Sequence, residues 1–516
     1  MYKKIIIYIS FLLCASFFTL RAEETAKAPT KRRPNVVFIY ANDMGKGLLS
    51  AYGQKHYTTP NIDTLINSGV SFKYAFGGSI SSYARASLLT GYHDCSKNKW
   101  RISRGGVYIK EDTVDIYENE NFINGNNILL PENNLYLPQV FGNAGYVTAQ
   151  IGMLGWGNTS TRRQMFQHGW DYFYGYLDHM RSQGYYPTFL FENERIEMIE
   201  GNTRIDCGRK FIYETENETT YNDRWNMEGK KIYSPNLLLE KTIEFIRQFK
   251  DKPFFLMYAT PLPGPVSIPS VHPEVANNKA LTQIEKEYAS MMKLLDDHVG
   301  AIISELRSLG LEENTLIVIA SDNGHDIHYL QENRIDRPFR NIITNEPFDN
   351  SYSKYYSDKA GDVFNGNMGM AGLKGSNLNG GINIPFVFYW KGELKKRVCE
   401  DIVSTCDFLP AMADFFGVKL ETRKDGISFL PALMKGRKLP QKRFVIVSSE
   451  DGPAIIVNDG WKLRFLAKPK KYELYNIRKD PEEKYDVILR FTDKAEDLKK
   501  LLIEQCGGNI DNGVIY

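Results

Sequence analysis

Two amide–carboxylate pairs, Asn42-Asp43 and Asp322-Asn323, each follow a short apolar run. Their side chains offer hard oxygens, the donors that hold Ca²⁺ and, with tighter geometry, Mg²⁺. Each pair alone is also ordinary turn chemistry, because Asn and Asp open turns. Between them lies Ser81-Ser82-Tyr83-Ala84-Arg85-Ala86-Ser87-Leu88-Leu89-Thr90-Gly91. It reads as a helix with Ser81 at its start and Gly91 past its end. A helix N-terminus attracts anions and can activate a nucleophile; a Ser cap without chemistry is the plainer alternative. His325 stands two residues beyond Asn323, with His328 close behind, and His93 and His272 lie elsewhere.

Such groups need a rigid frame. Strand-like runs alternate with helical ones, which implies a largely parallel α/β sheet whose ligands collect beyond the carboxyl ends of the strands. Strands are expected over 35–40, 146–151, 254–258, 315–320 and 384–390. Ser234-Pro235 starts a helix running to about Phe249, with Ser at the N-cap. Thr282-x-x-Glu285 is a capping box, and the apolar positions from Ile284 to Leu306 keep one helical face closed by Gly310. From about Pro440 short β-like runs and a Lys/Glu-rich helix imply a smaller α+β subdomain with an antiparallel sheet. Residues 93–127 and 327–368 show no clear period, and loops that long are functional or mobile as a rule. There is no internal repeat.

The chain has 516 residues, 42% hydrophobic, 13% aromatic and 24% charged, which excludes wholesale disorder and collagen-like repeats. Lys+Arg number 64 against 62 Asp+Glu, a net +2, so no nucleic-acid partner is expected. Lys3 and Lys4 precede an apolar run over 5–20, then Ala22 and Glu23. That pattern implies a signal peptide over 1–22, a flexible leader over 23–33 and an exported protein, secreted to a periplasm or cell surface. The run is short for a bilayer span of about 20 residues, and no later stretch is long and apolar enough, so no stable membrane span is expected once the signal is removed. Of 6 cysteines, Cys14 lies in the signal. The odd, scattered remainder is not a disulfide framework.

The ordered motifs resemble the sulfatase family. Arg33-Pro-Asn-Val-Val-Phe-Ile39, Asp43 and Thr59-Pro-Asn-Ile-Asp63 look like its opening, and Ser81-x-x-x-Arg85 with Leu89-Thr-Gly91 looks like its Cys/Ser-x-Pro-x-Arg signature. The resemblance runs on through Gly169-Trp-Asp-Tyr-Phe-Tyr-Gly175, Asp296, Ser321-Asp-Asn-Gly324, Lys374, Gly380-Gly381, Trp461-Lys-Leu463 and Asp480-Pro481. It implies an alkaline-phosphatase-like fold, a large mixed α/β sheet between helices over 34–438, with the α+β subdomain over 439–516. It implies a sulfuric ester hydrolase in which the signature residue becomes formylglycine, a divalent cation polarises the sulfate and a His protonates the leaving oxygen. Carried over by position, Ser81 is the nucleophile, Arg85 and Lys374 bind the substrate anion, and Asn42, Asp43, Asp322 and Asn323 hold Ca²⁺, with Mg²⁺ as the other option. The substrate expected is a sulfated carbohydrate. Arg334, Arg337, Arg340, Tyr352, Tyr355 and Tyr356 in the 327–368 loop suit sulfated sugars through guanidinium forks and ring stacking; a solvated insertion is the alternative.

Several positions depart from that pattern. The metal pair begins with Asn42 rather than Asp. The signature Pro is Tyr83, so formylglycine formation at Ser81 is not expected. The family's Gly-Lys-Trp-His-Leu-Gly reads Gly152-Met153-Leu154-Gly155-Trp156-Gly157, and Leu262 replaces the His of its Pro-His-x-Pro segment. Asn379 stands where a Glu precedes Gly-Gly. The anion-binding groups survive while the proton-transfer groups are lost, and His325 is the best-placed substitute acid. Three readings follow: a sulfatase with a degenerate site, a non-catalytic pseudo-sulfatase that binds a sulfated glycan or a protein partner, and a phosphoester or phosphonate hydrolase using unmodified Ser81.

Overall fold

The computed structural model describes residues 33–95, 135–155, 164–177, 179, 181–204, 215–332, 334–335 and 354–515. The expected signal peptide and all but the last residue of the leader lie outside these, as do Arg337, Arg340 and Tyr352.

A ten-stranded mixed sheet runs in the order β10-β2-β9-β8-β1-β7-β3-β4-β5-β6. Its strands are β1 Asn35–Ala41, β2 Val70–Phe76, β3 Val147–Met153, β4 Tyr172–Tyr176, β5 Phe189–Glu192, β6 Arg195–Met198, β7 Phe254–Ala259, β8 Thr315–Ser321, β9 Phe386–Tyr389 and β10 Arg397–Ser404. The centre, β8-β1-β7-β3-β4, is parallel throughout. Two strands break the parallel expectation, because β9 runs against both β8 and β2, and β5 against β4 and β6.

β1 is buried along its whole length, as a central strand covered on both faces must be. Its side chains alternate between two cores. Val37, Ile39 and Ala41 join the core beneath helices Ser234–Gln248 and Gln283–Ser308, while Val36, Phe38 and Tyr40 join the one beneath Ser81–Thr90, Leu137–Asn143 and Phe408–Phe416. The second helix of the first group begins as expected, with the Glu285 carboxylate accepting from Thr282 N–H at 2.8 Å. The helix at 234 begins one residue earlier than the sequence implies. Tyr233 is the N-cap and Ser234 the first helical residue, and Tyr233 is held by its ring packing on Tyr185 and Tyr186.

The C-terminal region forms a four-stranded antiparallel sheet, β11 Phe444–Val447, β12 Ala454–Val457, β13 Trp461–Leu466 and β14 Lys471–Asn476. One face packs Ile455, Leu463 and Leu474 on Leu498 and Leu502 of helix Thr492–Gln505. The other packs Val445, Val447 and Ile456 on Tyr74 and Phe76 of β2 and Ile402 of β10. Between the two sheets the fully buried Lys462 and Glu483 pair at 2.7 Å. Glu483 also accepts from the backbone N–H of Asn379 at 2.6 Å.

Candidate active site

The parallel register puts the ends of β1 and β8 side by side, with Ala41 opposite Ser321. Asn42-Asp43 and Asp322-Asn323 are therefore neighbours. Asp43 takes the left-handed conformation, φ 59°, which Asp tolerates better than most residues. The turn is pinned by Asp43 N–H to the Asp322 carboxylate at 3.0 Å and by Met44 N–H to Ser321 Oγ at 2.8 Å.

Helix Ser81–Thr90 points its N-terminus into this corner, and Gly91 ends it at φ 72°. Ser81 Oγ lies 3.0 Å from Asn323 Oδ1, 3.3 Å from Asn42 Oδ1 and 3.4 Å from Asp43 Oδ1. One turn on, Arg85 donates to Asp322 Oδ2 through Nε at 3.1 Å and Nη2 at 2.8 Å. Its guanidinium lies 4.6 Å over the Tyr40 ring. Arg85 is 2% exposed, and its Nη1 is buried with no hydrogen-bond partner among the described residues. Lys374 Nζ donates to Asp43 Oδ2 at 2.7 Å, and His328 Nε2 lies 2.9 Å from the same oxygen. Burial would raise the Asp43 carboxyl, but the Lys374 charge and the His328 bond outweigh it and hold the group far below the usual carboxylate range.

All the residues expected at the site except His325 thus share one corner. His325 is fully buried, but its Nε2 lies 2.9 Å from Tyr329 Oη and 3.3 Å from Asp362 Oδ2. Its link to the site runs through backbone, the Lys374 N–H donating to the His325 carbonyl at 2.9 Å. His328 takes the place beside Asp43 instead. His272 caps the short helix Pro273–Ala276, and His93 sits near Asp425 and Gln505. Of the loop residues, Arg334 pairs with Glu285 at 3.1 Å. Tyr355 and Tyr356 are buried, and Tyr356 donates to the Glu482 carbonyl, so these three are bound up in the fold.

The missing family groups have physical replacements. Leu262 is fully buried in the core. Met153 turns its sulfur to 3.9 Å from Arg85 Nη2. Gly155 has φ +84°, and a Cβ there would meet Arg85 Cδ at 2.1 Å. The space a side chain would need at 155 is filled by Arg85 itself.

Three participants escaped the sequence reading. Tyr40 supplies the ring under Arg85. Asp326 brings a carboxylate to 3.8 Å from His328 and 4.0 Å from Lys374. His179 is buried, its Nδ1 has no partner among the described residues, and its imidazole is pushed down to about 3 by burial and then by Arg85 and Lys374. It is a neutral hydrogen-bonding group at ordinary pH. Asp326 carried a signal, as a carboxylate four residues past Asp322; Tyr40 and His179 carried none.

The expected cation set fits only in part. Asn42, Asp43 and Asn323 aim oxygens at Ser81, as hard-cation donors would. Asp322 does not: one oxygen accepts two backbone N–H groups and the other holds Arg85. Asp43, Asp326 and His328 form a second group whose ligand atoms all lie within 4.8 Å of one another.

Comparison with known proteins agrees with this architecture. The family model described as Sulfatase matches residues 34–418. An N-acetylgalactosamine-6-O-sulfatase of Bacteroides thetaiotaomicron is 24% identical, over 91% of this chain and 93% of its own. The solved structure of Ps i-CgsB in complex with k-i-k-neocarrahexaose superposes with a TM-score of 0.67 at 21% identity, covering 93% of this chain and 94% of that one. The phosphonate monoester hydrolase of Agrobacterium radiobacter shares the fold at a TM-score of 0.52 and 16% identity, covering 92% and 96%, so the fold alone does not choose between sulfur and phosphorus esters. With a family match across most of its length, this chain belongs to the sulfatase family.

Proposed function

We propose that this protein captures the sulfate group of a sulfated carbohydrate at Ser81, Arg85 and Lys374, and that sulfate-ester hydrolysis there is slow. The observation that carries the reading is Arg85 Nη1, a buried guanidinium donor with no partner among the described residues. Leaving such a donor unsatisfied costs ~1–3 kcal/mol, and an anionic oxygen would remove that cost. The N-terminus of the Ser81–Thr90 helix and the Lys374 ammonium add attraction for the same anion. An arriving sulfate draws Lys374 from Asp43. A divalent cation held at Asp43 would add positive charge beside the sulfate.

Turnover is another matter. Groups that move protons are worth roughly 10²–10⁴-fold each, and the positions that carry them in the family hold Met153, Gly155 and Leu262 here. A pocket that keeps ground-state contacts and loses transition-state ones binds without much catalysis. One relative is named an N-acetylgalactosamine-6-O-sulfatase, and one solved neighbour holds k-i-k-neocarrahexaose, so sulfated galactans and hexosamine glycans are the natural panel. A second reading, hydrolysis with a new proton donor, is favoured by His328, a buried imidazole 2.9 Å from Asp43. Calorimetry against the panel, beside a sulfate-release assay, tests both. Binding that Arg85→Ala and Lys374→Ala abolish, with little release, supports capture. Robust release that His328→Ala removes supports the second reading. Binding of no sulfated glycan refutes both.

A further inference from the structure

We propose that Asp43, Asp326 and His328 form a site for a borderline divalent ion of the zinc or manganese class, and that Lys374 competes with this ion for Asp43. It rests on the proposed anion pocket only in sharing Asp43 and Lys374. The donor set differs from the all-oxygen one the sequence implies. Asp322 has its acceptor positions filled by two backbone N–H groups and the Arg85 fork. A large hard ion wants six to eight oxygens, and to lend it one Asp322 would have to give up the Arg85 fork, the partner of a fully buried carboxylate. On the opposite side of Asp43 an imidazole and a second carboxylate converge, and imidazole beside carboxylate suits zinc and its first-row neighbours.

The spacing is right for such an ion. Bonds of ~2.0–2.1 Å in a tetrahedral site put ligand atoms roughly 3.3 Å apart. His328 Nε2 lies 2.9 Å from Asp43 Oδ2 and 3.8 Å from Asp326 Oδ2, which brackets that figure. The residues are held in place. Asp43 is fixed by its left-handed turn, and Asp326 is fixed by Oδ1, which accepts the Ile327 N–H at 2.9 Å. All three are buried.

Lys374 Nζ stands 2.7 Å from Asp43 Oδ2 and 4.0 Å from Asp326 Oδ2. An ammonium and a dication so close repel strongly, so ion binding must loosen the lysine. Coupling of this kind is reciprocal: a ligand that draws Lys374 away favours the ion, and the ion frees Lys374 for an anion.

The test needs no glycan. The full chain is treated with chelator, then titrated calorimetrically with ZnCl₂, MnCl₂ and CaCl₂, with bound metal counted by plasma mass spectrometry and folding checked by thermal unfolding. One zinc or manganese ion per chain is expected, weakened at least about tenfold by His328→Ala or Asp326→Asn. Lys374→Gln should tighten binding at least about threefold by removing the rival charge. Where an alanine variant fails to fold, His328→Gln supplies the same reading. Calcium bound with indifference to His328 overturns the proposal in favour of the oxygen set. No stoichiometric binding of any of the three ions overturns it in favour of Lys374 as the resident cation. Zinc binding without glycan binding would sustain this site and refute only the capture reading.

Discussion

Restoring the lost histidine as Gly155→His is the obvious way to revive a family active site, and here it should fail. Two costs are built into the position. Gly155 sits at φ +84°, a region that costs a residue with a side chain ~1–3 kcal/mol. The new Cβ would also lie 2.1 Å from Arg85 Cδ. Arg85 has no room to yield, because Asp322 holds it by two bonds and Tyr40 lies beneath it. Expelling the guanidinium leaves a fully buried carboxylate without its partner, a loss of about 3–5 kcal/mol. The sum is ~4–8 kcal/mol, a large fraction of the roughly 5–15 kcal/mol that holds a typical domain folded. Urea unfolding of the wild type, Gly155→Ala and Gly155→His measures it. Gly155→Ala carries most of the damage, because the clash is at Cβ. A Gly155→His protein with a wild-type midpoint and intact anion binding would refute the argument, and would mean that Arg85 has a second resting place.

Three further outcomes are expected. Lys46 is buried, its Nζ bonding the Lys73 carbonyl and Asn383 Oδ1, and burial with the nearby Lys73 charge pushes it down to about 7. The unfolded chain, with an ordinary lysine near 10.5, binds more protons between these values, so this group makes stability rise with pH from about 7 to 10; Lys46→Met should abolish that share of the rise in urea midpoints measured at pH 7 and 9.5. Lys462→Met leaves Glu483 charged and buried, which should cost ~3–5 kcal/mol by the same measurement, while Lys462→Met with Glu483→Gln recovers part of it. The peptide carrying residue 81 should have the mass of unmodified serine even after co-expression with a serine-type maturation enzyme. An aldehyde there would show that Tyr83 does not block conversion.

The sequence alone carried most of the frame. Short apolar runs located β1, β3, β7 and β8, because a strand covered on both faces is apolar along its length, and a helical period located the long helix after Thr282. Position-by-position likeness to a family named the corner residues, since Asn42-Asp43, Ser81, Arg85, Asp322-Asn323 and Lys374 each sit in a local motif. What local pattern cannot hold is pairing. The reversed direction of β9, the Lys462–Glu483 bond between the two sheets and the ring of Tyr40 under Arg85 are contacts between distant segments. The same holds for the two histidines after Asn323, of which position in the chain favours His325. Only packing sends His325 to Tyr329 and Asp362 and brings His328 to Asp43. Gly155 makes the point most sharply: in the sequence it is a missing histidine, and in the fold it is the only residue small enough to let Arg85 reach Asp322.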